Sequence, residues 1–373
     1  MSIPETFIDP ETGRRVHRIS RQGGASASWY FHNYPFLHGR DENEDDKLVY
    51  RGKTDNGWQL FSVNLRTLEY QQVTDIAHDD QRLTEVLGRT RREAYYRNGN
   101  AICAVNIDSG ISRQIVELPD HISSMPATIN ADETKLCGVW AEGKEPFLEK
   151  PRSYWFTAIF EAHLPHHLYT IDIDTGAINE FYSDNNWLNH LQCSPTDPNL
   201  LSFCHEGPWH RLHRMWTITM GDDQPRKIHE RTMENEIAGH EFWDPTSSKL
   251  WFDLQMPKGE NFYLARYDLE TDQEIRFPIE RRQWSVHYNI SRDSSILVGD
   301  GGGPNSVAKG DNGQYIYLFR PNGNQLDCEP LCSLADHDYS LEPNAHFTPD
   351  KKWVIFRSNM HGESQVYAVE TEL

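Results

Sequence analysis

A polar turn leading into a short apolar strand recurs seven times along the 373 residues: EDDKLVYRG from Glu44, RREAYYRNG from Arg91, ADETKLCGVW from Ala131, TDPNLLSFC from Thr196, PTSSKLWFD from Pro245, RDSSILVGD from Arg292 and PDKKWVIFR from Pro349. Between these copies falls a second element, in which a strand ends in Asp or Asn and turns through an acidic, Thr or Gly cluster. It reads DPETGRRV from Asp9, NLRTLEYQQV from Asn64, NIDSGISRQI from Asn106, DIDTGAINEF from Asp172, MGDDQPRKI from Met220, DLETDQEIRF from Asp268 and RPNGNQLDC from Arg320. One copy of each gives roughly 40 to 65 residues with four short strands and two hairpin turns, the content of one propeller blade. The expectation is an all-β chain, a seven-bladed β-propeller filling residues 1–373 as one domain. The first Asp turn precedes the first Lys-Leu strand and the chain ends in SQVYAVETEL. The closing blade should therefore combine N- and C-terminal strands, which removes free sheet edges. Two β-sandwiches would need a linker between halves, and no Pro/Ser-rich break is present.

The longest departure from strand patterning, 142–169 (EGKEPFLEKPRSYWFTAIFEAHLPHHLY), reads as a loop or short helical insertion over one face. A net charge of −20 without a basic segment argues against nucleic acid and anionic membrane as partners. An anionic substrate would have to be held by a few local cations or a metal. The start MSIPETFIDPETG is not a secretory signal and no window has the length of a membrane span, so a cytoplasmic location is expected. The six cysteines, without CxxC spacing, read as buried thiols. Oligomeric state is not legible.

Polar chemistry concentrates in four segments: FCHEGPWHRLHRMW, AGHEFW, SVHYNIS and YSLEPNAHF. One histidine per successive blade at similar phase, His205, His240, His287 and His346, suggests the lining of a funnel. His205-Glu206 with His210 is not the metalloprotease HExxH, because its gap is one residue too long and contains Gly207-Pro208. GDGGG (299–303) lacks the GK[ST] ending of a phosphate loop and reads as a tight backbone bend. No G-x-S-x-G elbow exists.

FCHEGP followed by RMW, HEFW, the segment from His287 to Gly301, WLNH and the opening DPETGRRVHRIS together resemble the oligogalacturonate lyase family in order along the whole chain. The resemblance implies cleavage of short pectin fragments by metal-assisted β-elimination. That reaction removes the proton beside a uronate carboxylate, so it needs a base and a positive partner for the carboxylate. A neutral histidine, with an ordinary pKa of about 6.5, can be the base. By resemblance His240 is that base, Arg214 binds the carboxylate or assists proton transfer, and His287 is a metal ligand. His205 and Glu206 would support the sugar site, with His190, Tyr339 and His346 as further substrate contacts. The opening stretch would form an arginine-bearing wall of the cleft.

Family members complete the metal site from a Gln-x-x-His-Pro-His stretch, and here the corresponding residues are Tyr339, Glu342 and Asn344. A His287, Glu342, Asn344 set is harder and favours Mn²⁺, Mg²⁺ or Ca²⁺ over zinc. The alternative is a site without metal, in which Tyr339 or His346 turns toward the sugar. The function implied is a carbon–oxygen lyase on small acidic oligosaccharides. Another uronide, a different glycoside cleavage and a non-catalytic sugar-binding propeller remain as alternatives.

Overall fold

In a computed structural model describing residues 3–309 and 314–372, the strands form seven antiparallel sheets, the blades of a seven-bladed β-propeller. In chain order blade 1 spans 26–72, blade 2 87–117, blade 3 128–184, blade 4 188–227, blade 5 237–279 and blade 6 288–333. Blade 7 joins 346–370 to the N-terminal 6–18, with Val16 opposite Val369 and His17 opposite Ala368. Its two outermost strands come from the chain's beginning, as expected.

Turn chemistry explains why the repeat is visible in sequence. Oδ1 of Asp9, Asn64, Asn106, Asp172 and Asp268 each accepts the backbone N–H groups two and three residues on, closing an Asx turn. The residue after each turn, Gly13, Leu68, Gly110, Gly176 or Asp272, is left-handed, so the chain reverses at one fixed place. The copies from Met220 and Arg320 depart from this form; the latter is a two-residue hairpin between Asn322 and Gln325. In the first element Asn130, Ser291 and Thr348 cap their turns by the same logic. Left-handed Glu133, Ser294 and Lys351 follow at one offset.

The chain divides into two compact units, Met1–Ala94 with Val105–Ser112 and Arg276–Leu373, and Tyr95–Ala104 with Arg113–Ile275. In the first, alternate residues of neighbouring blades interdigitate: Leu48 and Phe61 with Ile355 and Val366, and Val298 and Ile316 with Val354 and Phe356. In the second, Leu168, Leu188, Leu201 and Phe203 form one seam and Met215, Ala238, Leu250 and Phe252 another. Each such side chain, fully buried, contributes about 1.5–3 kcal/mol.

The 142–169 segment forms two helices, α1 (Glu145–Leu148) and α2 (Arg152–Ala162), with Pro151 before α2 and left-handed His163 ending it. No helix among the described residues is long and apolar enough to cross a membrane. All six cysteines are free; buried Cys137 and Cys193 lie with sulfurs 3.4 Å apart.

Candidate active site

Four blades place a polar residue at one position, within the first strand in blades 4 and 5 and just ahead of it in blades 6 and 7. Counting three residues back from Cys193, Trp243, Ile290 and Phe347, which precede equivalent turns, gives His190, His240, His287 and Asn344. In blades 4 and 5 the pairing with the second strand slips here, between Asn189 and Gln192 and between Gly239 and Phe242. His190 and His240 sit in these bulges with φ of 49° and 44°, and Asn344 has φ of 52°. A bulge with a left-handed residue turns its side chain out of the ordinary strand alternation, at a cost of about 1–2 kcal/mol. The expected set is corrected accordingly. His205 ends the second strand of blade 4 and His346 lies two residues past the shared position, so His190 and Asn344 hold the places assigned to them.

In the second unit, His240 Nδ1 lies 3.0 Å from Oδ1 of Asp253, a fully buried carboxylate. A carboxylate only accepts, so the ring's Nδ1 carries the proton and Nε2 the lone pair. The edge of the imidazole meets the Trp209 ring at 5.2 Å and 78°. Over the same indole, 4.5 Å from its centre, lies the Arg214 guanidinium. Gly239 allows this approach: a Cβ there would lie 2.6 Å from the Trp209 ring and 3.1 Å from Asp253 Oδ1.

Arg214 is not the open carboxylate partner that the resemblance implies. Its side chain is 1 % exposed, with Nη1 2.7 Å from Glu206 and Nε 3.2 Å from Glu241. Two carboxylates on one guanidinium leave this group of three at net −1, so it offers no surplus charge to an acid. Glu206 also accepts from Trp209 Nε1 at 2.7 Å and from Gly207 N at 3.2 Å, with His190 at 3.6 Å. Burial alone would raise its pKa; Arg214, His190 and Trp209 together outweigh that and bring it to about 2. Nearby, the insertion contributes Lys144, whose ammonium stands 5.2 Å from the centre of the Trp187 ring and feels the charge of Glu206. Burial holds its pKa below the usual lysine range.

His205 turns elsewhere. It pairs with Asp184 at 3.3 Å and leans on Trp216 in a cavity of about 410 Å³, lined also by Phe160, His163, Arg211 and His213. Its backbone N–H donates to Arg214 O, while its ring faces this cavity.

In the first unit, Asp300 organises His287. Its carboxylate accepts from His287 N and from Asn344 N and lies 2.8 Å from His287 Nδ1. Burial works to lower the His287 pKa; Asp300 reverses this and raises it. The Phe31 ring stacks on the imidazole at 4.7 Å. Asn344 Oδ1 accepts Phe31 N–H at 3.0 Å, while its amide nitrogen donates to Glu342 O. Tyr339 donates to Asp300 O, beside the bend at Gly301 (φ 67°). His346 lies between the carbonyls of Asn344 and Tyr30, and burial pushes its pKa down to about 4, as for a structural, neutral ring. Neither Tyr339 nor His346 is directed to a sugar.

The opening arginines also part from expectation. Arg14 binds Glu329 and the Glu370 carbonyl, while Arg15 and His17 reach the Glu370 carboxylate. They brace the outer strands of blade 7 and form no cleft wall.

The sequence model described as oligogalacturonate lyase matches residues 3–372. The chain belongs to that family. Its members are carbon–oxygen lyases acting on oligosaccharides. Oligogalacturonate lyase of Dickeya dadantii and oligogalacturonide lyase of Pectobacterium atrosepticum are each 27 % identical to the chain, over 97 % of it and 94 % of their own length. The solved structure of an oligogalacturonate lyase in complex with manganese has TM-score 0.83 at 23 % identity, covering 98 % of this chain and 95 % of its own. An oligogalacturonate lyase from Vibrio parahaemolyticus gives the same score at 22 % identity, covering 99 % and 96 %. At that identity the likeness is one of fold.

The resemblance implies a divalent ion at His287, and the residues present do not fit one. Asp300 behind an imidazole is the arrangement that metal sites use. The other donors are few: Glu342, whose charge His287 feels, and the Asn344 oxygen, which also accepts Phe31 N–H. Among the described residues no three His, Cys, Asp or Glu side chains are grouped to hold a metal. Of the expected His287, Glu342, Asn344 set, the amide oxygen already spends one of its two lone pairs on Phe31 N–H.

Sequence reasoning missed Asp253, Glu241, Trp209 and Lys144. Trp209 stands inside the polar run FCHEGPWHRLHRMW, and Glu241 directly follows the base candidate, so position offered a hint for both. Asp253 is one acidic residue inside the apolar strand KLWFDLQ; a carboxylate at a buried strand position was its only signal.

Proposed function

We propose that the protein cleaves short uronic-acid oligosaccharides of the oligogalacturonate kind by β-elimination, with His240 as base. The observation that carries this reading is the His240–Asp253 pair: a half-buried imidazole set in a strand bulge, its Nδ1 held by a fully buried carboxylate. Family membership supplies the substrate class.

In the step, His240 Nε2 takes the proton from the carbon bearing the carboxylate. The C–H electron pair becomes the new double bond, the C–O bond to the neighbouring sugar breaks, and the departing oxygen takes a proton from solvent. Asp253 keeps the lone pair on Nε2 and stabilises the imidazolium that forms. A base so placed contributes on the order of 10²–10⁴ in rate. Arg214 positions: it locks Glu206, Glu241 and Trp209, and Trp209 fixes the ring edge of His240. Lys144 feels Glu206 and Glu145 at longer range than Arg214 is held by its two carboxylates, and it offsets the uronate charge. No step passes through a metal.

The experiment is ultraviolet detection of the conjugated double bond with a panel of oligouronides, for the wild type and His240→Ala. Unsaturated product from the wild type and none from the variant is expected. Hydrolysed product with added water by mass spectrometry, or binding of every oligouronide without turnover, overturns the reading.

A further inference from the structure

The misfit at the metal position has a counterpart in charge. We propose that Arg357, a permanent cation, binds the carboxylate of a uronic-acid oligosaccharide at this position of the first unit; the ligand class rests on the function proposed above. Arg357 lies in the first unit, on the second strand of blade 7 (Trp353–Ser358), where it feels first the charges of Arg51 and Glu85 and then those of Glu342 and Asp300, and itself acts on His287. Its backbone N–H donates to Pro343 O and its Nε to Glu342 O at 2.6 Å, so the chain that would present metal ligands instead anchors a guanidinium.

Those bonds leave the fork itself unspent. Among the described residues neither Nη of Arg357 has a hydrogen-bond or ion-pair partner, and neither is sealed from solvent as Arg51 Nε is. Arg51 shows the contrast: its side chain is 1 % exposed, and Nη2 is committed to Ser28 O and Glu85. A mostly buried guanidinium whose two Nη groups have no protein partner among the described residues is matched to a carboxylate, which it binds with two charge-assisted hydrogen bonds. Asn344, tied to Phe31 N–H and Glu342 O, is neutral and supplies no charge to a carboxylate. A metal site needs three or more converging donors; a carboxylate needs one fork.

The test measures binding on the intact protein in a His240→Ala background, so that a saturated trigalacturonate is not consumed, with its methyl ester as the uncharged control. Calorimetric binding should weaken by about tenfold or more in Arg357→Gln, with Arg357→Lys intermediate because lysine keeps the charge without the fork. The ester should bind the background and both variants alike. Mn²⁺ titrated into chelator-treated protein, followed by electron paramagnetic resonance, should remain free, and chelator should leave wild-type oligogalacturonate turnover unchanged. Stoichiometric Mn²⁺ binding lost in His287→Ala, with turnover restored only by the ion, overturns the proposal. So does equal trigalacturonate affinity in the background and both variants, each shown folded by circular dichroism. Failure of the lyase reading is separate: it appears as absent product with the Arg357-dependent binding intact.

Discussion

Replacing Asp253 by asparagine keeps shape and removes what only a carboxylate supplies. In the wild type, Oδ1 lies 3.0 Å from His240 Nδ1 and can do nothing but accept. An asparagine can turn its NH₂ toward the ring, which moves the ring proton to Nε2 and abolishes the base. Nothing in the pocket opposes that turn, because Asp253 Oδ2 is buried with no hydrogen-bond partner among the described residues that could hold the amide. Even with its oxygen toward the ring, asparagine offers no charge to the imidazolium formed on proton uptake. A hydrogen bond to a charged group is worth about 1.5–3 kcal/mol, and the tautomer loss adds a comparable amount. At about 1.36 kcal/mol per factor of ten, kcat should fall on the order of 10²–10⁴. KM should stay within about twofold, since Asp253 is fully buried and touches no substrate. The assay is the initial rate of double-bond absorbance at saturating oligogalacturonate, with thermal unfolding as control for the fold. A folded Asp253→Asn enzyme keeping kcat within about tenfold of wild type would falsify the assignment of His240 as base.

Gly239→Ala should place a methyl against the Trp209 ring, costing about 1–3 kcal/mol in denaturant unfolding and lowering kcat, because Trp209 contacts both His240 and Arg214. Lys144→Gln should raise KM about two- to fivefold with kcat unchanged, and the difference should shrink in high salt. Glu206 titrates near 2 in the fold against an ordinary 4.5, so its contribution, about 3 kcal/mol, is complete above pH 4.5 and lost as pH falls through 2. Urea unfolding of wild type and Glu206→Gln should therefore differ most near neutral pH and converge on acidification; a pH-independent difference refutes the coupling to Arg214.

The blades were legible because each is written as local turn chemistry. Asp172, for instance, accepts two backbone N–H groups within three residues, and such a bond needs no knowledge of the rest of the chain. The phase of the site was less legible. His205 and His346 share the composition of the polar segments, but bulges after Asn189 and Gly239 decide which residue turns outward, and a bulge is a matter of pairing with a neighbouring strand. Partners were least legible. Arg214 looks like an available cation in HRMW until Glu206 and Glu241, eight residues away and on another blade, are seen to occupy it.

The same distinction bears on how a chain of net charge −20 holds an acid. Long-range steering opposes the substrate, and formal count is a poor guide to which positive groups can answer it. Arg51 and Arg214 are buried and committed to carboxylates, so either one brought to the substrate would first have to abandon a buried ion pair, at about 3–5 kcal/mol. Lys144 and Arg357 face no such cost: one rests over an indole and the other is fastened by its Nε to a backbone carbonyl, each leaving charged N–H groups for a ligand. Mutation of Arg14 or Arg15 in blade 7 should accordingly leave substrate affinity unchanged, since they answer to Glu329 and Glu370.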